Sequence, residues 1–429
     1  MPEKHRKAMK VILAAKSVYP FHPFGGVQKY VYYFAKHLAR QGIDLEIVAP
    51  TDGGKPRTEE YDGLRYRLLS PSIYKYLEYP VGWLGVHLFS RSLARYLRGT
   101  KFDLLHSFDL TGYQYLKTRN RKPVIAHIFT DNYLCNPIPL GNIFNVRNFD
   151  KIKGKKVKIS PFDSGAVKLQ YLAQYFLKVK PLHATLTCCD AVFFEDDIFL
   201  KEVGELYRVS SRKSYVVPVG IDLSYVQQAL AGHSMSREDI GLSAKDVVLI
   251  SVNRLAADKG VDKIITALGM IVQQVPQVKL IIIGSGYQEK ELLEMIVQKG
   301  LTKHVRHFKN VLEEDLYQYY RISDIYLCAF SYPGSSISTL EAMACSLPVI
   351  TTAQHWLVRE GENGLFLKDN DPRFIRDAVL RLAHEDKLQA QGAVSRIIVQ
   401  KFEWENIARK AIEQYEEILR KGQEVVSHC

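Results

Sequence analysis

Long apolar runs are missing from this chain. No stretch of its 429 residues approaches the roughly 18 apolar residues that a membrane-crossing helix needs. The basic start, MPEKHRKAMKVILAAKS, has an apolar core that ends at Lys16 after about five residues, too short for a signal peptide. Cysteine is scarce. The six present (Cys135, Cys188, Cys189, Cys328, Cys345, Cys429) supply neither a disulfide framework nor the paired CxxC spacing of a zinc site, so the expected compartment is the reducing cytosol. No internal repeat, low-complexity tract or Walker sequence is present.

What the chain has is core material and an uneven charge. It is 47% hydrophobic and 24% charged, the balance of a packed protein rather than a disordered one. At about 150 residues per domain, its length predicts two or three domains. Residues 1–222 carry 34 Lys/Arg against 20 Asp/Glu (+14), and residues 223–429 carry 24 against 26 (−2). The first half is therefore the candidate for meeting an anionic partner.

Short β-branched runs alternate with segments of helical period. In the first half VILAA (11–15), LEIVA (45–49), DLLHS (103–107), VIAHIF (124–129), AVFF (191–194) and SYVVPV (214–219) read as strands. Between the first two, Val27, Tyr30, Val31, Phe34 and Leu38 form one apolar helix face, ended by Gly42. The second half repeats this grammar from VVLISV (247–252) to GLFL (364–367). Such alternation predicts an α/β protein with two parallel, doubly wound sheets. The expected boundaries are a first domain at 1–222, a linker at 223–245 and a second domain at 246–402. A closing amphipathic helix at 403–429 would carry Ile407, Ala411, Ile412, Tyr415 and Leu419 on one face.

Several positions could carry chemistry. Gly334, Ser335 and Ser336 lead from a strand into a helix, where free N–H groups and the helix dipole favour an anion. Glu341 lies farther along that helix among apolar neighbours, and such an acid needs a polar partner if it is buried. An ordinary surface glutamate fits the pattern equally well. Arg254 closes a strand and Lys259-Gly260 precedes a helix, so the two cations suit a diphosphate, with solvated loop charges as the bland alternative. Gly284 and Gly286 form half of a nucleotide-binding turn, and Gly25-Gly26 separates the first strand from its helix. His127 lies within a strand, where a lone histidine is more often structural than catalytic. Glu195-Asp196-Asp197 and Glu313-Glu314-Asp315 read as helix-start acids rather than metal ligands. His183 with Cys188 and Cys189 reads as packing.

Taken together, these segments resemble glycosyltransferase family 4, with its GT-B fold, over nearly the whole chain. VNRLAADKG resembles the family's GRLxxxKG segment, and SDIYLCAFSYPGSSISTLEAMACSLPVI resembles its E-x7-E region. The resemblance implies two Rossmann-like domains facing a central cleft, with the last helix returning to the first domain. It implies a retaining transfer of a hexose from a nucleotide diphosphate sugar to an acceptor hydroxyl, on a glycan or a lipid-linked glycan. Arg254 and Lys259 then match the family's diphosphate-binding pair and Glu341 the acid on the donor ribose. Gly25-Gly26 matches the N-terminal glycine loop, and His127 falls where the family has an active-site histidine. Neither metal nor cofactor is expected. The chain departs from the family where Pro333 replaces the first Glu, Asn253 the Gly before Arg254, and Val219 the usual Asn before Gly220.

Two stretches mix basic with aromatic or apolar residues: 72–98 and the lysine-rich KIKGKKVKIS at 151–160. Both suit peripheral contact with an anionic membrane from the cytoplasmic side, or else a core helix and a solvated loop. Nucleic acid is not expected, because no reading helix or stacking sheet accompanies the charge. A nucleotide-sugar epimerase of the same fold and a non-catalytic GT-B subunit remain as alternative readings.

Overall fold

The computed structural model describes residues 8–22, 25–71, 82–129, 175–232, 234–331, 336–383 and 387–427. The chain forms two compact units, Met1–Pro218 with Ile407–Cys429, and Val219–Asn406.

The first unit contains β1 (Lys10–Ala14), α1 (Gly26–Arg40), β2 (Asp44–Pro50), β3 (Arg57–Tyr61), β4 (Leu64–Leu69), α2 (Gly82–Arg98), β5 (Leu104–Phe108), β6 (Val124–Ile128), α3 (Lys180–Cys188), β7 (Ala191–Phe194), α4 (Asp197–Tyr207) and β8 (Ser214–Val216). Its sheet runs β3-β4-β2-β1-β5-β6-β7-β8, parallel except at the β3–β4 edge. Side chains alternate across it as a pleated strand requires. Ile12, Ala14, Leu105 and Val124 pack under Phe89, Leu93 and Leu97 of α2, and Ala126, Ile128 and Phe194 pack under α3 and α4. The opposite face is aromatic: Phe108 and His127 meet Tyr30 and Phe34 of α1, and Phe193 packs edge-on against His127.

The second unit holds α5 (Leu223–Ala231), β9 (Val247–Val252), α6 (Val261–Ile271), β10 (Val278–Ile283), α7 (Glu289–Gln298), β11 (Val305–Phe308), α8 (Glu313–Arg321), β12 (Ile325–Cys328), α9 (Ile337–Ala344), β13 (Val349–Thr351), β14 (Gly364–Phe366), α10 (Pro372–Ala383) and α11 (Leu388–Val399). All six strands are parallel, in the order β11-β10-β9-β12-β13-β14. The chain winds outward from β9 to β11, then returns and winds the other way from β12. Ligands of such sheets bind at this reversal, beyond the carboxyl ends of the two central strands. The last helix, α12 (Trp404–Ser427), runs from the second unit into the first.

Two sequence readings change here. Residues 223–245 are not a linker, because the chain changes unit at Pro218–Val219. Gln318 donates to the Ala229 carbonyl at 2.7 Å, and Arg237 donates to the Ile322 and Asp246 carbonyls and to Asp324. Helix and anchored turn, rather than loose chain, account for the loss of strand character. The β3–β4 hairpin went unread, although Asp62-Gly63 at its turn (φ 49° and 72°) is a strong short-range hairpin signal. The FEWEN segment is tied to the start of the same unit. Ile221 donates to Phe402 and Trp404 donates to Ile221, while a Cβ on Gly220 would lie 2.5 Å from the Trp404 ring.

Candidate functional site

The carboxyl ends of β9 and β12 carry most of the second unit's candidate residues. Past β9 the chain turns through Arg254 into a short 3₁₀ turn at Ala257–Lys259, and Gly260 then starts α6 with φ 64°. Only glycine fits there, since a Cβ would sit 1.9 Å from the Ala329 carbonyl oxygen. That close approach brings the turn onto the end of β12. Ser331 N–H donates to the Asp258 carbonyl at 2.9 Å, and Asn370 donates to both Ala329 O and Ser331 Oγ. Lys259 Nζ lies 3.7 Å from the Phe330 ring centroid, a cation held over an aromatic face.

Arg254 and Lys259 flank one carboxylate. Arg254 Nη2 is 3.5 Å from Asp258 Oδ1, and Lys259 Nζ is 3.4 Å from Oδ2. The arginine side chain is 65% exposed and the lysine 21%, so the guanidinium is open to solvent while the ammonium is sheltered. Both cations stand at the strand ends where an anion would dock.

Helix α9 is bolted to the same place. Ser336 caps it, its Oγ accepting from Thr339 N–H, and Ser336 Oγ lies 2.9 Å from Ser338 Oγ. Ser338 Oγ donates to the Val252 carbonyl at 2.9 Å and accepts from Tyr326 Oη at 3.0 Å. This hydroxyl chain crosses from α9 to the end of β9 and fixes the helix start over the strand reversal. Gly334, Ser335 and Pro333 lie outside the described residues. Glu341 is buried, at 3% exposure, and accepts from Tyr320 Oη at 3.1 Å. The buried reading of this acid therefore replaces the surface one.

Gly284 and Gly286 have a different local reason to be glycine. A Cβ on Gly284 (φ 139°) would lie 2.0 Å from Asn253 O, and one on Gly286 2.2 Å from Leu255 O. They let the loop after β10 press against the Arg254 loop, where Leu255 N–H donates to Ser285 O and Ala257 N–H to Tyr287 Oη.

In the first unit Gly25 and Gly26 stand at the start of α1, and a Cβ on Gly26 would meet nothing within 4 Å. Lys16 and Asp109, at the ends of β1 and β5, pair at 3.1 Å. His127 is enclosed rather than presented. It is 0% exposed and packed against Phe108 and Phe129, with Nδ1 3.0 Å from His106 Nε2 and, among the described residues, no partner at Nε2. His106 Nδ1 in turn meets Tyr415 Oη at 2.7 Å. Burial pushes the His127 pKa down to about 3, so its ring is neutral at physiological pH.

The acidic clusters and the basic stretches have these places in the fold. Asp196 caps α4, accepting from Phe199 N–H at 2.7 Å, and the 313–315 acids fill the first turn of α8. Among the described residues no group of three His, Cys, Asp or Glu is placed to hold a metal ion, and no helix is long and apolar enough to cross a membrane. Residues 151–160 and 72–81 lie outside the described residues. From Gly82 onward the aromatic-basic stretch is α2, whose Phe89, Leu93 and Leu97 face the core while Arg91, Arg95 and Arg98 are exposed. Sequence reading missed Asp258, Tyr320, Tyr326 and His106, and it took Tyr415 only as part of an apolar helix face. Asp258 alone had a local signal, four residues after Arg254 and adjacent to Lys259.

Comparison with known proteins agrees with this architecture. Residues 24–225 match the model of Glycosyltransferase Family 4, and residues 234–393 match that of Glycosyl transferases group 1. A D-inositol 3-phosphate glycosyltransferase from Nocardioides is 24% identical over 421 residues, spanning 91% of this chain and 85% of the relative. A sucrose-phosphate synthase from Thermosynechococcus elongatus superposes with a TM-score of 0.71 at 20% identity, covering 96% of this chain and all of the other. HepE of Anabaena, solved with UDP-glucose, superposes at 0.63 and 16% identity, covering 95% of this chain and all of that one. The fold is GT-B, and the chain is a glycosyltransferase that belongs to family 4.

Proposed function

We propose that this enzyme transfers a hexose from a nucleoside diphosphate sugar to an acceptor hydroxyl with retention at the anomeric carbon. The observation that carries the reading is the placement of Arg254, Lys259 and the α9 start together at the carboxyl ends of β9 and β12. As the glycosidic bond breaks, negative charge grows on the departing diphosphate. Arg254 would meet it as a planar fork and Lys259 as a point charge, with the amides at the start of α9 facing the same anion. The positive charge then comes from the protein, and we propose that no metal takes part.

Glu341, held by Tyr320, would accept from the donor ribose hydroxyls. Retention rests on the family resemblance. Uridine diphosphate sugars are the first donors to test, given the UDP-glucose complex of the structural neighbour. For the acceptor we propose an anionic glycolipid or a glycan at an anionic surface, met through the exposed Arg91, Arg95 and Arg98 of α2.

The test is Arg254→Ala and Lys259→Ala, assayed with a chelator present. Each should lower kcat/KM by roughly 10²–10³-fold, the scale of removing one charge-stabilising group, with an unchanged circular dichroism spectrum. Near-normal transfer by either variant overturns the assignment.

A further inference from the structure

We propose that Asp258 is an internal counter-ion of the diphosphate site, setting how tightly the nucleoside diphosphate is held and how fast it leaves. The inference rests on the reading of Arg254 and Lys259 given above. Its own evidence is the geometry around one carboxylate: each oxygen faces a different cation, at 3.5 Å and 3.4 Å. The side chain is 20% exposed, so these attractions are only partly screened by water.

The carboxylate is also fixed in place. Asp258 lies in the 3₁₀ turn that Gly260 lets approach β12, and its carbonyl accepts from Ser331 N–H. Lys259 cannot simply swing away, because its ammonium rests between Asp258 Oδ2 and the Phe330 ring, itself 4% exposed. An arriving diphosphate must therefore compete with an anion already near both cations. The competition keeps the two cations converged while the site is empty, and it weakens the grip on the diphosphate product. Charge alone sets the direction of the effect, since an attraction shared with Asp258 is not fully available to phosphate.

The experiment measures calorimetric binding of UDP, GDP and ADP to the full-length chain, using whichever the unmodified protein binds. Asp258→Asn keeps the shape and the backbone bond but removes the charge. It should tighten diphosphate binding by about threefold to tenfold, the scale of losing two partly exposed ion pairs. It should also lower kcat, with stronger product inhibition. Asp258→Glu retains the charge and should bind as the unmodified protein does. Asp258→Ser serves in place of Asp258→Asn if that variant fails to fold. General damage to the turn weakens binding, so tightening is a signature that a purely structural role would not produce. Unchanged or weaker binding by the neutral variant overturns the inference, and so does equal tightening by Asp258→Glu. If the unmodified protein binds none of the three diphosphates, the proposed function fails instead.

Discussion

Gly260 shows how much of the site depends on one missing side-chain atom. The residue sits at φ 64°, and a Cβ there would lie 1.9 Å from the Ala329 carbonyl oxygen. Gly260→Ala therefore combines left-handed backbone strain with a clash against backbone that cannot rotate away. We expect a loss of at least about 2 kcal/mol, read by urea denaturation. Activity should fall further than stability accounts for, because the same turn carries Lys259. Gly26 is the contrast, since no atom would crowd its Cβ and its φ is not in the left-handed region. Glycine at the two positions looks alike in sequence, and only neighbouring backbone separates a packing requirement from an open one.

Helix α2 resolves an ambiguity at the scale of the element. Basic and aromatic residues interleave along 82–98, as they do in a helix that lies in a lipid interface. The fold directs Val86, Phe89, Leu93 and Leu97 into the core and leaves Arg91, Arg95 and Arg98 exposed. Contact with a membrane would then run through charge, with cations near an anionic surface adding about 1 kcal/mol each. Vesicles rich in anionic phospholipid should float the protein at low salt. A triple Arg→Gln variant at these positions should remain in the lower fractions, and so should the native protein at high salt, where charges are screened. Flotation that ignores both changes would remove α2 from the contact.

The buried imidazole pair makes the whole molecule sensitive to acid. His106 and His127 are both 0% exposed. Burial lowers both pKa values, that of His127 from 6.5 to about 3, and the neighbouring His127 lowers His106 further. Between these limits the unfolded chain binds protons that the native state refuses, so stability falls as the pH drops from about 6.5 toward 3. Each pH unit in that window costs about 1.4 kcal/mol at His127, and His106 acts in the same direction. Thermal unfolding midpoints should decline across that range. Replacing both residues with glutamine should flatten the decline, whatever it does to the midpoint at pH 7. A slope unchanged by the double substitution would place the acid sensitivity elsewhere.

Much of this protein is written in local pattern. Alternating strand and helix periods announce parallel sheets, because a parallel strand pair needs a covered crossover between its members. The spacing of Arg254, Lys259 and Glu341 within their segments marks the proposed site on the second half of the chain. Pairings between distant residues leave no such trace. Tyr320 with Glu341, Ser338 with Val252, and His106 with Tyr415, 309 positions apart, depend on which strand ends and helix faces packing brings together. The enclosure of His127 and the union of 223–245 with the second unit arise in the same way. Burial and hydrogen-bond partnership are properties of a packed neighbourhood, and periodicity along a chain reports only the face a residue shares, not what covers it.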